Sequence, residues 1–141
     1  MKYYVAGFMY SKDRKKVVLI EKMNPEWQRG LLNGVGGKIE KDETPQMAMS
    51  REFKEETGVN TSPEEWKVFS VIDGPSTYKV YFLYTFNDNL INVKTVEKEK
   101  VGIYEVSDLP PHTMYNLKWL IPMSLDPKLP FDTPVPVEER V

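Results

Sequence analysis

Between Gly37 and Val59 the chain reads GKIEKDETPQMAMSREFKEETGV, and five of its side chains could do chemistry together: Glu43, Arg51, Glu52, Glu55 and Glu56. Thr44 suits an N-cap, Pro45 the first helical position and Gly58 the position just past the end, so the spacing predicts a helix between them. At about 100° per residue, Ala48, Met49 and Phe53 share an arc with Glu52 and Glu56, while Gln46, Met47, Ser50 and Lys54 lie opposite. Glu55 borders the arc. Glutamates on a helix ordinarily form a solvated face with i,i+4 partners. Here they sit beside apolar residues, where repulsion and desolvation raise the energy of the fold unless a cation neutralises them. An all-oxygen ligand set suits Mg²⁺, which keeps several waters and bridges to substrate phosphates.

The remaining composition narrows the chemistry. The chain has 141 residues, a formal charge of -2, no cysteine and a single histidine, His112. That length suits one domain, 1–141, burying roughly two-thirds of its unfolded surface. The slight acidic balance argues against a broad grip on duplex nucleic acid. Without thiolates, any metal must be held by oxygen or by His112, and one isolated histidine fits a surface or capping role better. No run reaches membrane-spanning length and the amino terminus lacks a cleavable leader pattern, so the expectation is a cytoplasmic protein without a membrane partner.

The elements that must position the helix can be read coarsely. Tyr3 to Tyr10 and Val17 to Ile20 read as strands around the polar SKDRKK, and residues 24–37, with four glycines and a proline, as an irregular loop. Trp66 to Ile72 and Tyr78 to Phe86 read as strands around the turn DGPST, with a further short strand over 100–106. A second helix is expected over 113–121, with Trp119 and Leu120 in the core. Five prolines from Pro122 to Pro136 predict an extended, peripheral tail over 122–141. Strands mixed with one or two helices suggest an α/β or α+β class.

The stretch from Gly37 to Val59 resembles the signature box of the Nudix hydrolases, G-x5-E-x7-R-E-U-x-E-E-x-G-U with U a bulky apolar residue. Gly37, Glu43, Arg51, Glu52, Phe53, Glu55, Glu56, Gly58 and Val59 fill every fixed position, Phe53 standing where an aliphatic residue is more usual. The resemblance implies an α/β/α sandwich around a mixed sheet and hydrolysis of a nucleoside diphosphate linked to a further group. It implies Mg²⁺, or Mn²⁺ in its place, held by Glu52, Glu55, Glu56 and the Gly37 carbonyl, with Glu43 and Arg51 paired as a brace. A carboxylate outside the box often completes such a site. Glu99 stands where that residue is commonly found, with Glu97 beside it, and Glu52 is favoured over Glu99 as general base.

The segment LLNGVGGKIE is similar to its counterpart in MutT-like members of the family, which act on oxidised purine triphosphates. By that likeness Asn33 and Asn116 are candidates for reading a base, with Tyr115 or Met114 against the ring. Asn33 before a glycine also fits a plain turn role. Arg29 and Lys38 could approach phosphate, or simply be solvated cations. Tyr81, Phe82 and Tyr84 alternate on one strand, so one side packs inward while the other could line a pocket. Trp27 is expected to pack under its loop or to cap the pocket. The leading expectation is a pyrophosphohydrolase taking a nucleoside triphosphate to a monophosphate and pyrophosphate, as a monomer or homodimer. Dinucleoside polyphosphates, ADP-ribose, NADH and capped RNA are alternative substrates, and a non-catalytic nucleotide sensor is the alternative class.

Overall fold

The computed structural model describes residues 1–75 and 77–140. Ser76, in the expected DGPST turn, and Val141, in the expected tail, lie outside the described residues. The strands are β1 (Lys2–Tyr10), β2 (Lys16–Glu21), β3 (Leu32–Asn33), β4 (Val35–Lys38), β5 (Lys67–Asp73), β6 (Tyr78–Phe86), β7 (Val101–Glu105) and β8 (Val135–Glu138). The helices are α1 (Pro45–Thr57) and α2 (Leu117–Leu125).

These strands form one mixed sheet in the order β3-β2-β1-β6-β5-β8, with β4 on β1 and β7 on β2. β1 is its axis. It runs parallel to β6 from Lys2↔Tyr78 to Tyr10↔Phe86 and pairs antiparallel with β4 from Tyr4↔Lys38 to Gly7↔Val35. Successive residues of β1 and β2 feed opposite faces. Phe8, Tyr10, Val17 and Leu19 join Leu117, Leu120 and Ile121 of α2 on one side. Val5, Met9, Val18 and Ile20 join Ala48, Met49 and Phe53 of α1 on the other. The result is the expected α/β/α sandwich about a mixed sheet. Among the described residues no helix is long and apolar enough to cross a membrane.

Three expectations need correction. Residues 32–38, read as irregular because of their glycines, form β3 and β4, since β1 and β2 offer them backbone partners and pairing overrides poor strand propensity. The second helix begins at Leu117, later than expected, because backbone groups before it are given to β3: Leu32 N donates to His112 O at 2.9 Å and Met114 N to Leu32 O at 2.9 Å. Trp119 stays on the outer side of α2, because Leu117, Leu120, Ile121 and Ser124 take the inward arc at i, i+3, i+4 and i+7.

The tail is not peripheral either. Pro122 lies inside α2, which tolerates the lost N–H because its apolar arc is buried, and Arg14 Nη1 caps the end of the helix by donating to the carbonyl of Leu125 at 2.8 Å. Phe131 then inserts its ring against Phe69 and Tyr84 at centroid distances of 5.7 and 6.0 Å. Beyond it β8 pairs parallel with β5, and Ser70 Oγ donates to Val135 O at 2.8 Å. Phe131→Ala is expected to cost about 3 kcal/mol of stability, as for other buried aromatics cut to alanine. A urea midpoint unchanged from the parent would show that the tail merely rests on the sheet.

Candidate active site

α1 is held at both ends by the residues expected to do so. Thr44 Oγ1 accepts from Met47 N at 3.1 Å, Pro45 opens the helix, and Gly58 closes it with φ 80°. Packing of Ala48, Met49 and Phe53 on the sheet fixes its rotation. Glu52 is thereby pressed inward, its side chain only 13% exposed, whereas Glu55 is 45% exposed. The three box glutamates are therefore not equally enclosed: Glu52 and Glu56 face the body of the protein and Glu55 faces out, because its angle carries it past the edge of the packed arc.

Arg51 gathers this end of the site. Its Nε donates to Glu43 Oε2 at 2.6 Å and its Nη2 to Glu43 Oε1 at 2.9 Å, a two-pronged pair. Nη2 also donates to the Lys38 carbonyl at 3.0 Å, and Nη1 to Glu52 Oε1 at 2.9 Å. One guanidinium thus joins the loop before α1, the end of β4 and the first inward glutamate. The same contacts hold the Glu43 carboxyl below its usual range and raise Arg51. Gly37 completes the cradle. A Cβ at that position would lie 2.5 Å from Glu52 Oε1, so only glycine leaves room for the carboxylate over the β4 backbone.

Glu56 carries the strongest electrostatic strain. Its Oε2 is buried with no hydrogen-bond partner. Burial, helped by the charges of Glu97, Glu99 and Glu52, pushes its carboxyl up from 4.5 to about 7. Burial also raises Glu52. Glu99 is 15% exposed, and its two oxygens accept from Lys22 Nζ at 3.1 Å and from the backbone N–H of Met23 at 2.5 Å. Glu97 is exposed. Among the described residues no three acidic or histidine side chains already surround one point as a cation cage. The donors present nevertheless fit a hard divalent ion: all are oxygens, two are desolvated carboxylates, and one of those lacks any partner.

The candidate substrate residues fall into separate places. Asn33 Nδ2 donates to Gln28 Oε1 at 3.2 Å and its Oδ1 accepts from Gly34 N at 2.8 Å, so its amide serves its own loop. Asn116, at the amino end of α2, has a buried Oδ1 with no partner. The bridge between Leu32 and Thr113 brings the segments bearing these two residues together. Tyr81 is not brought with them. It lies on the α1 side with Tyr3, Ile39, Glu43 and Pro45, because Phe82 takes the other face of β6. Arg29 is exposed and loosely paired with Glu26 at 3.7 Å, and the Lys38 side chain is exposed. His112 is exposed and offers only its carbonyl to Leu32. Trp27 is 69% exposed, so packing does not bury it as expected. Tyr115 is exposed beside Lys118, while Met114 is buried. Sequence reasoning missed Lys22. Its partner lies 77 positions away, and no local pattern links them.

The Glu56 carboxyl binds its proton more tightly in the fold than in the unfolded chain. Its stabilising contribution is therefore complete below about pH 4.5 and lost as pH rises through about 7. In chelator, the thermal midpoint of the parent protein is expected to fall relative to that of Glu56→Gln between about pH 5 and about pH 8. Parallel midpoint profiles for the two proteins would remove burial as the source of the shift.

A family model described as NUDIX domain matches residues 2–122. No curated protein sequence matches the chain. Solved structures with the same fold include a MutT NUDIX hydrolase from Burkholderia pseudomallei, 16% identical with a TM-score of 0.71, covering 86% of this chain and 96% of that one. A MutT structure from the pair Aliivibrio salmonicida and Vibrio cholerae is 24% identical with a TM-score of 0.64, covering 76% of this chain and 82% of that one. A MutT protein from Bacillus halodurans is 17% identical with a TM-score of 0.65, covering 86% and 80%. With the box filled and the family model spanning most of its length, the chain belongs to the Nudix family.

Proposed function

We propose that this protein hydrolyses a nucleoside triphosphate, with an ordinary or oxidised purine base, to a nucleoside monophosphate and pyrophosphate in a reaction that requires Mg²⁺ or Mn²⁺. The observation that carries the reading is the buried, unpartnered Glu56 Oε2 among further carboxylates on the inward side of α1. A site for binding alone has no need of so costly a concentration of desolvated acid groups.

Glu52, Glu55 and Glu56, with the Gly37 carbonyl and Glu99, would hold the cation. When bound, the cation supplies charge neutralisation at the phosphate oxygens and lowers the cost of forming a nucleophile from water. Glu52 is the general base of this proposal. The Arg51 Nη1 contact fixes the orientation of one of its oxygens and leaves the other to accept the proton of the attacking water. As water adds to phosphorus its proton passes to Glu52, the bridging P–O bond breaks, and pyrophosphate leaves with that bond's electrons. Glu43 acts at a distance, holding Arg51 and through it Glu52.

Recognition of the base is assigned to Asn116. Its orphaned Oδ1 calls for a donor, and purines present N–H groups on their edges. Asn33 serves as a second contact that must give up its bond to Gln28. Arg29 and Lys38, both exposed near the loop and box, reach for phosphate. Tyr81 has no part in base contact in this proposal, since it lies across the sheet from α2.

The deciding experiment is a turnover screen with Mg²⁺ over ordinary and oxidised purine triphosphates, pyrimidine triphosphates, dinucleoside polyphosphates, ADP-ribose, NADH and capped RNA. Purine triphosphates should release pyrophosphate fastest. Glu52→Gln and Glu56→Gln should fold normally and lose at least about 100-fold in kcat on the best substrate. Near-parental turnover in both variants, or binding of nucleotide with no product, refutes the reading.

A further inference from the structure

Two protein cations border the acidic cluster, and they are held very differently. Arg51 is locked by its fork on Glu43 and by the Lys38 carbonyl, besides its bond to Glu52. Lys22 is held by one ion pair, to Glu99 at 3.1 Å, with side chains 20% and 15% exposed. Its charge extends beyond that partner, lowering the Glu56 carboxyl against the upward push of burial. An enclosed ammonium with one carboxylate partner is the exchangeable counter-charge of the two.

The backbone shows what such an exchange would move. The segment bearing Glu99 is tied to the last turn of α1, with Lys94 N donating to Thr57 O at 3.1 Å and Val96 N to Glu56 O at 3.4 Å. Glu21 N donates to Lys100 O at 2.8 Å on its other side. Glu99 is therefore fixed beside Glu56. It also grips the start of the loop over 22–31 through Met23 N at 2.5 Å. Lys22 closes that loop through its own backbone, its N–H donating to Leu31 O and its carbonyl accepting from Gly30 N, both at 2.8 Å. A Glu99 carboxylate drawn away from Met23 N would leave the loop closed at its root through the Lys22 backbone while freeing the portion after Met23, which carries Trp27 and Arg29.

Resting on the proposed metal-dependent reaction, we propose that Lys22 is a positioning residue acting through Glu99: it neutralises the acidic cluster until a divalent cation takes that carboxylate, and the exchange releases the Met23 end of the loop. The cation and the ammonium thus compete for one side chain. A purely structural Lys22 would do the opposite, since removing it would let Glu99 wander and weaken metal binding.

The test is calorimetric titration of the full chain with Mg²⁺ alone, without nucleotide. Lys22→Met should bind Mg²⁺ about tenfold more tightly than the parent, because a nearby positive charge and a competitor are both removed. Lys22→Arg should stay within about twofold, since it keeps the charge. Unchanged or weaker binding by a folded Lys22→Met overturns the proposal. Should that variant fail to fold, the parent protein decides the matter: the Met23 amide proton should shift upfield as Mg²⁺ saturates the site, reporting loss of its short bond to a carboxylate. A Met23 resonance that stays put while Mg²⁺ binds overturns the proposal equally. A parent chain that binds no Mg²⁺ at all would instead sink the metal-dependent reaction itself.

Discussion

Everything at this site follows from the packing that sets the rotation of α1. Ala48, Met49 and Phe53 must meet the sheet, and in meeting it they drag Glu52 and Glu56 out of water. The hydrophobic gain is collected along the whole arc, whereas the electrostatic penalty falls on two carboxylates, so the helix docks and the penalty is left in place. Arg51 relieves part of it at Glu52 and Lys22 part of it near Glu99. Glu56 Oε2 is left with no hydrogen-bond partner of its own. A fold that leaves one carboxylate oxygen stranded among like charges is predisposed to take up a cation.

This arrangement was legible in the sequence to an unusual degree at α1 and poorly elsewhere. The cap residues Thr44, Pro45 and Gly58 act within a few positions of one another, and the helical period fixes which glutamates share a face with Phe53. The Glu43 and Arg51 pair is also close in sequence. By contrast β4 owes its existence to β1, about thirty residues earlier, and glycines without strand propensity became a strand because a partner was waiting. The tail misled in the same way: its prolines are real helix and sheet breakers, yet the burial of Ser124 and Phe131 and the pairing of β8 with β5 outweigh them.

Side-chain reach was the other limit. The family resemblance singles out Glu99, but nothing local says that its oxygens are taken by Lys22 and the Met23 amide. Asn33 and Asn116 are alike candidates for reading a base on the resemblance alone, and only coordinates separate the one already satisfied by Gln28 and Gly34 from the one still lacking a donor. Tyr81 illustrates a parity effect: on β6 a single step along the chain exchanges the α1 side for the α2 side, so an aromatic pattern alone cannot say which residue meets which ligand.

The parallel pairing of β8 with β5 has a consequence for how the molecule matures. Ser70 and Val135 are 65 positions apart, so the outer rim of β5 has no neighbour until distant chain has been threaded back alongside it. Before then a row of open amides and carbonyls faces outward, the kind of surface on which separate molecules stick to one another. Long-range strand partners are slow to find each other. Concentrated, half-formed chains would meet along this rim, and recovery of soluble material on renaturation would depend strongly on dilution.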